Sequence, residues 1–102
     1  MPGVKIRVPK TTLKHAIGAL QDALEELGST DAMAYVPAAV ELMEAALATK
    51  EHGPVCFGRG WTYWSAEACQ AGATMTQNAG LRTRLIQANE HLMEAWEAND
   101  PC

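Results

Sequence analysis

The chain has 102 residues, of which 48% are hydrophobic and 20% charged, and its formal net charge is −4. The length predicts one domain, because two domains would leave neither half a proper core, and the composition excludes bulk disorder. No apolar run reaches the roughly 18 residues that a membrane span needs, and residues 1–7 lack the apolar core of a signal peptide. We therefore expect a soluble, cytoplasmic protein with no membrane partner.

Charge is distributed unevenly along the chain. All four basic residues among the first 15 positions are unopposed by acids, whereas the remainder is acidic. We expect residues 1–9 to form a basic extended arm on a single helical domain that spans 1–102. Such an arm can contact an acidic surface or phosphate, or it can be a strand edge that lysine protects from aggregation. The acidic body argues against nucleic acid as the partner.

Apolar and basic residues alternate from Val4 to Val8, which predicts a short, half-buried strand that Pro9 ends. Thr11 or Thr12 can then cap a helix. Its apolar positions recur every three or four residues, and Gly28 is the expected left-handed stop. The stripe consists of Leu13, Ile17, Leu20, Leu24 and Leu27.

A second cap cluster at 29–31 precedes another helical stripe. We place Pro37 in the first turn of this helix rather than at a kink, because the residue before a proline favours extended geometry. The helix should end near 50–52, before Gly53 and Pro54. Its stripe consists of Met33, Val36, Val40, Met43 and Leu47.

The apolar and aromatic pattern at 54–64 predicts a possible small hairpin. The alternative is a loop followed by a helix that begins at Thr62. An alanine-rich helix is predicted from Ser65, and its apolar spacing is interrupted at 78–80. A last helix follows and ends before 99–101. The fold class is thus mainly α, with about four amphipathic helices in a small bundle and a short N-terminal strand. Because two copies would bury more apolar surface than one, we expect a homodimer or larger assembly.

Four of the six aromatic residues fall within 57–64, with an arginine among them. These residue types are enriched at binding hot spots because they fill pockets and lose little rotamer freedom. In an extended segment, alternation would put Trp61 and Tyr63 on one face and Trp64 on the other. The alternative is a segment that packs beneath the helices. The candidate partner-binding residues are Phe57, Arg59, Trp61, Tyr63 and Trp64.

A second candidate site is the polar segment 74–84. Free amides at the start of the last helix, with Asn78, Arg82 and Arg84, could bind an anion, although no Walker or dinucleotide motif is present. The alternative is an interhelical turn whose arginines pair with Glu67 or Glu90.

The spacing of the histidines and cysteines gives little support for a metal site or a catalytic nucleophile. A structural zinc site needs four ligands, usually in two close pairs, and only His52 and Cys56 are close. We predict no metal and no cofactor, and we expect Cys69 in the core and Cys102 exposed, reduced in the cytosol and able to link two chains in air. Paired carboxylates lie on predicted solvent faces, so catalytic residues are not predicted.

The sequence thus favours a small, non-enzymatic helical homodimer that regulates or inhibits a protein or other macromolecular partner through the aromatic segment 57–64. The alternative hypothesis is a protein that binds or sequesters a small anionic, nucleotide-like ligand at the helix start 80–84.

Overall fold

The computed structural model describes residues 4–50 and 52–102. In this part of the chain, helices dominate and two short strands pair, which confirms the predicted mainly α fold class. The elements are β1 (Lys5–Val8), α1 (Lys10–Leu27), a short 3-10 helix (Asp31–Met33), α2 (Val36–Leu47), β2 (Val55–Gly58), α3 (Arg59–Met75) and α4 (Ala79–Ala98).

The first strand forms where the alternation predicted it, but its helix starts earlier than expected. Ile6 and Val8 are fully buried, whereas Val4 lies exposed before the strand. The cap of α1 is Pro9 rather than a threonine, so the expected capping by Thr11 or Thr12 is wrong. Proline's restricted φ suits the residue before a helix, and the Pro9 carbonyl accepts the Thr12 and Leu13 amides of the first turn.

The ends of α1 and α2 follow their backbone signals. Gly28 terminates α1 with a φ of 69°, a left-handed conformation that glycine adopts without a Cβ clash. Pro37 lies in the first turn of α2, as predicted. This helix ends at Leu47, before the predicted limit of 50–52.

The possible hairpin at 54–64 is not formed. The strand β2 pairs antiparallel with the distant β1, so that Phe57 faces Ile6 and Val55 faces Val8. Helix α3 begins directly after β2, earlier than the predicted start at Thr62. The reason is that β1 supplies the backbone partners that a local hairpin would otherwise need.

The end of the chain joins the same small sheet. Pro101 forms an antiparallel bridge with Ile6, and the Arg7 amide donates a 2.8 Å hydrogen bond to the Asp100 carbonyl. Cys102 is disulfide-bonded to Cys56 of β2. The expectation of a free Cys102 is therefore wrong, because the sheet brings together two cysteines that are far apart in sequence.

The core lies between the inner face of the sheet and the four helices. Helix α3 packs along α4, and both pack against α1. Polar contacts also cross the interface between α3 and α4, where the Asn89 side-chain amide donates to the Ala66 carbonyl at 2.8 Å. Among the described residues, no helix is both long and apolar enough to cross a bilayer. The largest fully buried side chains are Ile6, Leu13, Leu20, Met33, Met43, Leu85 and Leu92.

Candidate functional site

The five aromatic and arginine residues predicted to bind a partner do not share one surface. Phe57 is buried in the core as part of β2. Arg59 lies over Trp96, its guanidinium carbon 4.2 Å from the ring centroid. The Tyr63 ring also contacts Trp96, at 5.3 Å between centroids. These three residues therefore support the fold from within the chain.

Trp61 and Trp64 lie together on a different side of α3. The expectation that Trp61 shares a face with Tyr63 is wrong, because the segment is helical and residues three apart share a face. Trp61 is half-buried against the core, whereas Trp64 keeps 63% of its surface exposed.

A groove runs between α3 and the start of α2, with the two tryptophans on one side and Tyr35 on the other. It comprises a cavity of about 270 Å³ and an adjoining depression of about 480 Å³ that shares these three aromatic residues. We call this feature the aromatic groove. Small residues form much of its remaining lining, namely Ala32, Ala39, Ala68 and Ala71, with Gly60 in the outer depression.

The polar groups of the aromatic groove are few and of one sign. Asp31 and Glu67 line it, and no described basic residue does. Both residues are exposed, and neither carboxylate makes an ion pair or hydrogen bond within the described part of the chain. Ser65 also lines the cavity, and its buried hydroxyl has no hydrogen-bond partner. The lining is thus mainly apolar, its two charged groups are carboxylates, and its Ser65 hydroxyl has no hydrogen-bond partner.

The walls of the aromatic groove are held by the backbone of the fold. At the start of α3, the Arg59 amide donates to the Val4 carbonyl at 2.8 Å, and the buried Thr62 hydroxyl donates to the Gly58 carbonyl at 2.9 Å. Opposite, the Tyr35 carbonyl accepts the Ala39 amide at 3.0 Å as the cap residue of α2. Exposed rings therefore stand on fixed backbone, which lowers the entropy lost on binding.

Sequence reasoning missed four residues of the groove lining: Asp31 of the 3-10 helix, Tyr35 at the start of α2, and Ser65 and Glu67 of α3. Only Tyr35 carried a signal, as one of two aromatic residues outside 57–64. Its 72% exposed surface and its position beside α3 depend on how the helices pack.

The predicted anion-binding residues are engaged with the chain itself. Asn78 caps α4 by accepting the Leu81 amide at 3.0 Å. Arg82 donates to the Ala73 and Thr76 carbonyls at 3.2 and 2.8 Å, at the end of α3. Arg84 pairs with Asp22 at 2.6 Å, rather than with either expected glutamate.

The surface before α4 is also acidic. The hollow in front of Asn78 and Arg84 is lined by three carboxylates, those of Asp22, Glu25 and Glu26. Glu26 accepts the Thr76 hydroxyl at 2.6 Å and the Gln77 amide at 3.1 Å. These negative charges oppose the binding of an anion at this helix start.

Two of the cysteines, Cys56 and Cys102, form a disulfide bond, and the third, Cys69, lies in the core. Cys56 is disulfide-bonded, and burial raises the pKa of the Cys69 thiol to about 12. Neither sulfur is a thiolate at neutral pH, and the thiolate is the nucleophile and metal ligand. Among the described residues, no three His, Cys, Asp or Glu side chains are arranged to hold a metal ion.

Comparison with protein-family models, with curated proteins and with solved structures finds no match for this chain. Its site must therefore be interpreted from its own geometry.

Proposed function

We propose that this protein is a small non-enzymatic binding protein that regulates or inhibits a protein partner, which it binds through the aromatic groove. The observation that carries the proposal is the pair of exposed rings, Tyr35 and Trp64, that flank a cavity floored by small residues. Isolated exposed apolar side chains are ordinary, but aromatic rings gathered at a concave surface are typical of binding hot spots.

The shape of the groove favours a peptide segment over a small molecule. It is a partly open groove, made of a deeper part of about 270 Å³ and an outer depression of about 480 Å³, rather than an enclosed cavity that buries most of a small ligand's surface. Its outer part is bounded by Gly60 and the three aromatic residues alone. One anchoring side chain fits the deeper part, while neighbouring residues of the same partner can cover the outer rings. No observation favours the alternative anionic ligand.

Affinity capture from native lysate with three forms of the protein tests the proposal. Trp64→Ala should lose the partner that the wild type retains, because it removes an exposed hot-spot ring without opening the core. Met75→Ala is the matched control, since Met75 is 37% exposed at the end of α3 and does not line the groove. Circular dichroism should show all three forms equally folded. If Trp64→Ala retains every partner, the groove is not the interface.

The proposal includes self-association and a cytoplasmic setting. Large apolar side chains outside the groove support a homodimer, notably Leu42 at 41% exposure and Ile86 at 40%. Sedimentation at several protein concentrations tests this, and a single monomeric species would contradict it.

Disulfides persist mainly in oxidising compartments. Trapping of free thiols in cells, which reports the state of Cys56 and Cys102, therefore tests the cytoplasmic setting.

A further inference from the structure

We propose that the aromatic groove recognises an arginine side chain in a basic, otherwise apolar segment of the protein partner. The inference rests on the proposed function, since it names the chemistry that the same groove would bind. Three independent features carry it: unoccupied aromatic faces, two carboxylates, and a buried hydroxyl without a partner.

The aromatic faces are the first feature. Cations bind over the faces of Trp and Tyr because the ring quadrupole is negative there, and arginine also stacks its planar guanidinium on them. The chain itself shows this contact once, where Arg59 covers Trp96. Among the described residues, no cation lies over Tyr35, Trp61 or Trp64. The Trp64 ring contacts Tyr63 at 6.0 Å between centroids, but Trp64 and Tyr35 remain 63% and 72% exposed, which leaves ring surface for a cation from outside.

The carboxylates are the second feature, and they give the groove its sign. Asp31 and Glu67 lie on opposite elements of the lining, the 3-10 helix and α3. A guanidinium has five N–H donors that match carboxylate oxygens, and a charge-assisted hydrogen bond is stronger than a neutral one. An acidic partner segment would instead be repelled. Charge complementarity thus favours a basic occupant.

The third feature is Ser65, which is 1% exposed and lines the cavity. A buried hydroxyl without a partner is costly, and a ligand donor that reaches it removes that cost. An arginine anchor brings N–H donors to the Ser65 side of the cavity, whereas an apolar anchor brings none. The floor of the groove therefore favours arginine over leucine or phenylalanine at the anchor position.

The probe for this inference is the peptide acetyl-Gly-Leu-Arg-Leu-Gly-amide. Its matched control carries citrulline in place of arginine, which keeps the shape and removes the charge. The chain has three tryptophans, so three indole N–H resonances report binding by NMR. We expect saturable shifts at millimolar peptide for Trp61 and Trp64 and none for Trp96. Citrulline should weaken binding by roughly fivefold or more.

Two double variants separate local recognition from net charge. Asp31→Asn with Glu67→Gln should weaken arginine-peptide binding roughly tenfold. Glu41→Gln with Glu90→Gln changes the net charge equally at exposed positions outside the groove, and should leave binding within about twofold. All four residues are exposed, so both double variants should fold.

Three results would overturn the inference: no saturable shift, equal affinity for the citrulline peptide, or equal losses in the two double variants. Retained Trp64-dependent capture together with any of these results would overturn the arginine inference alone. Capture that ignores Trp64 would instead overturn the proposed function itself.

Discussion

At the scale of single residues, position rather than residue type determines what each aromatic ring does. Trp96 contacts Arg59 and Tyr63 of its own chain, whereas Trp64 leaves most of its surface to solvent. Both are tryptophans on helices. A local cluster in sequence therefore identified the right residue types, but only the tertiary packing separates a structural ring from one available for binding.

Cys69 provides a prediction of pH dependence. Burial raises its pKa from 9.0 to about 12, because desolvation disfavours the thiolate. The unfolded chain then loses this proton before the folded one, so the stabilising contribution is complete below pH 9 and falls as pH rises towards 12. We expect the free energy of unfolding to decrease between pH 8 and 10 in urea titrations.

Cys69→Ala is the control for this effect, since it removes the titrating group from a site where a small apolar residue fits. Its free energy of unfolding should fall less steeply over the same pH range. Equal slopes for the two proteins would show that Cys69 does not control the alkaline loss of stability.

At the scale of secondary-structure elements, the two arginines of α4 should differ in importance. Arg82 donates to two carbonyls at the end of α3, which have no helical partners of their own. Arg84 makes one exposed ion pair with Asp22. We expect Arg82→Ala to lower the free energy of unfolding by about 1–3 kcal/mol, and Arg84→Ala by less than about 1 kcal/mol.

Urea denaturation of the two variants at equal pH and salt measures this difference. The arginine pair is matched in type and helix, so solvent and helix-propensity effects largely cancel. A cost for Arg84→Ala that equals or exceeds that of Arg82→Ala would contradict the assigned roles.

The helices could be predicted from the sequence because each carries a local periodic signal. The stripe from Leu13 to Leu27 and the stop at Gly28 required no knowledge of other elements. The pairing of β1 with β2 could not be predicted, because about fifty residues separate Ile6 from Phe57 and a four-residue strand carries no information about its partner. The start of α3 was misplaced for the same reason.

Only the part of the candidate site that lies within one segment of the chain could be predicted from the sequence. Trp61 and Trp64 stood out by composition, whereas Asp31 and Tyr35 reach the groove only because α2 packs beside α3. A site built across two elements can be predicted from sequence only as far as their packing can.

At the scale of the whole molecule, the small sheet joins three distant parts of the chain. β1 pairs with β2 and receives the C-terminal residues, and the Cys56–Cys102 disulfide links the last residue to the middle of the chain across 46 positions. A cross-link of this span restricts the unfolded ensemble, which the chain-entropy model values at about 4 kcal/mol. Both ends of the fold are thereby fixed around one helical core.

We therefore expect Cys102→Ser to lower the free energy of unfolding by about 2–4 kcal/mol relative to the oxidised wild type. Dithiothreitol should lower the wild type to the level of the variant and leave the variant unchanged, since no other disulfide is present in the described residues. Urea denaturation with and without the reductant measures both effects. Neither Cys56 nor Cys102 lines the aromatic groove, so the arginine peptide should still bind the folded variant. A reductant effect below about 1 kcal/mol would show that backbone pairing of β1, rather than the cross-link, holds the C-terminus to the sheet.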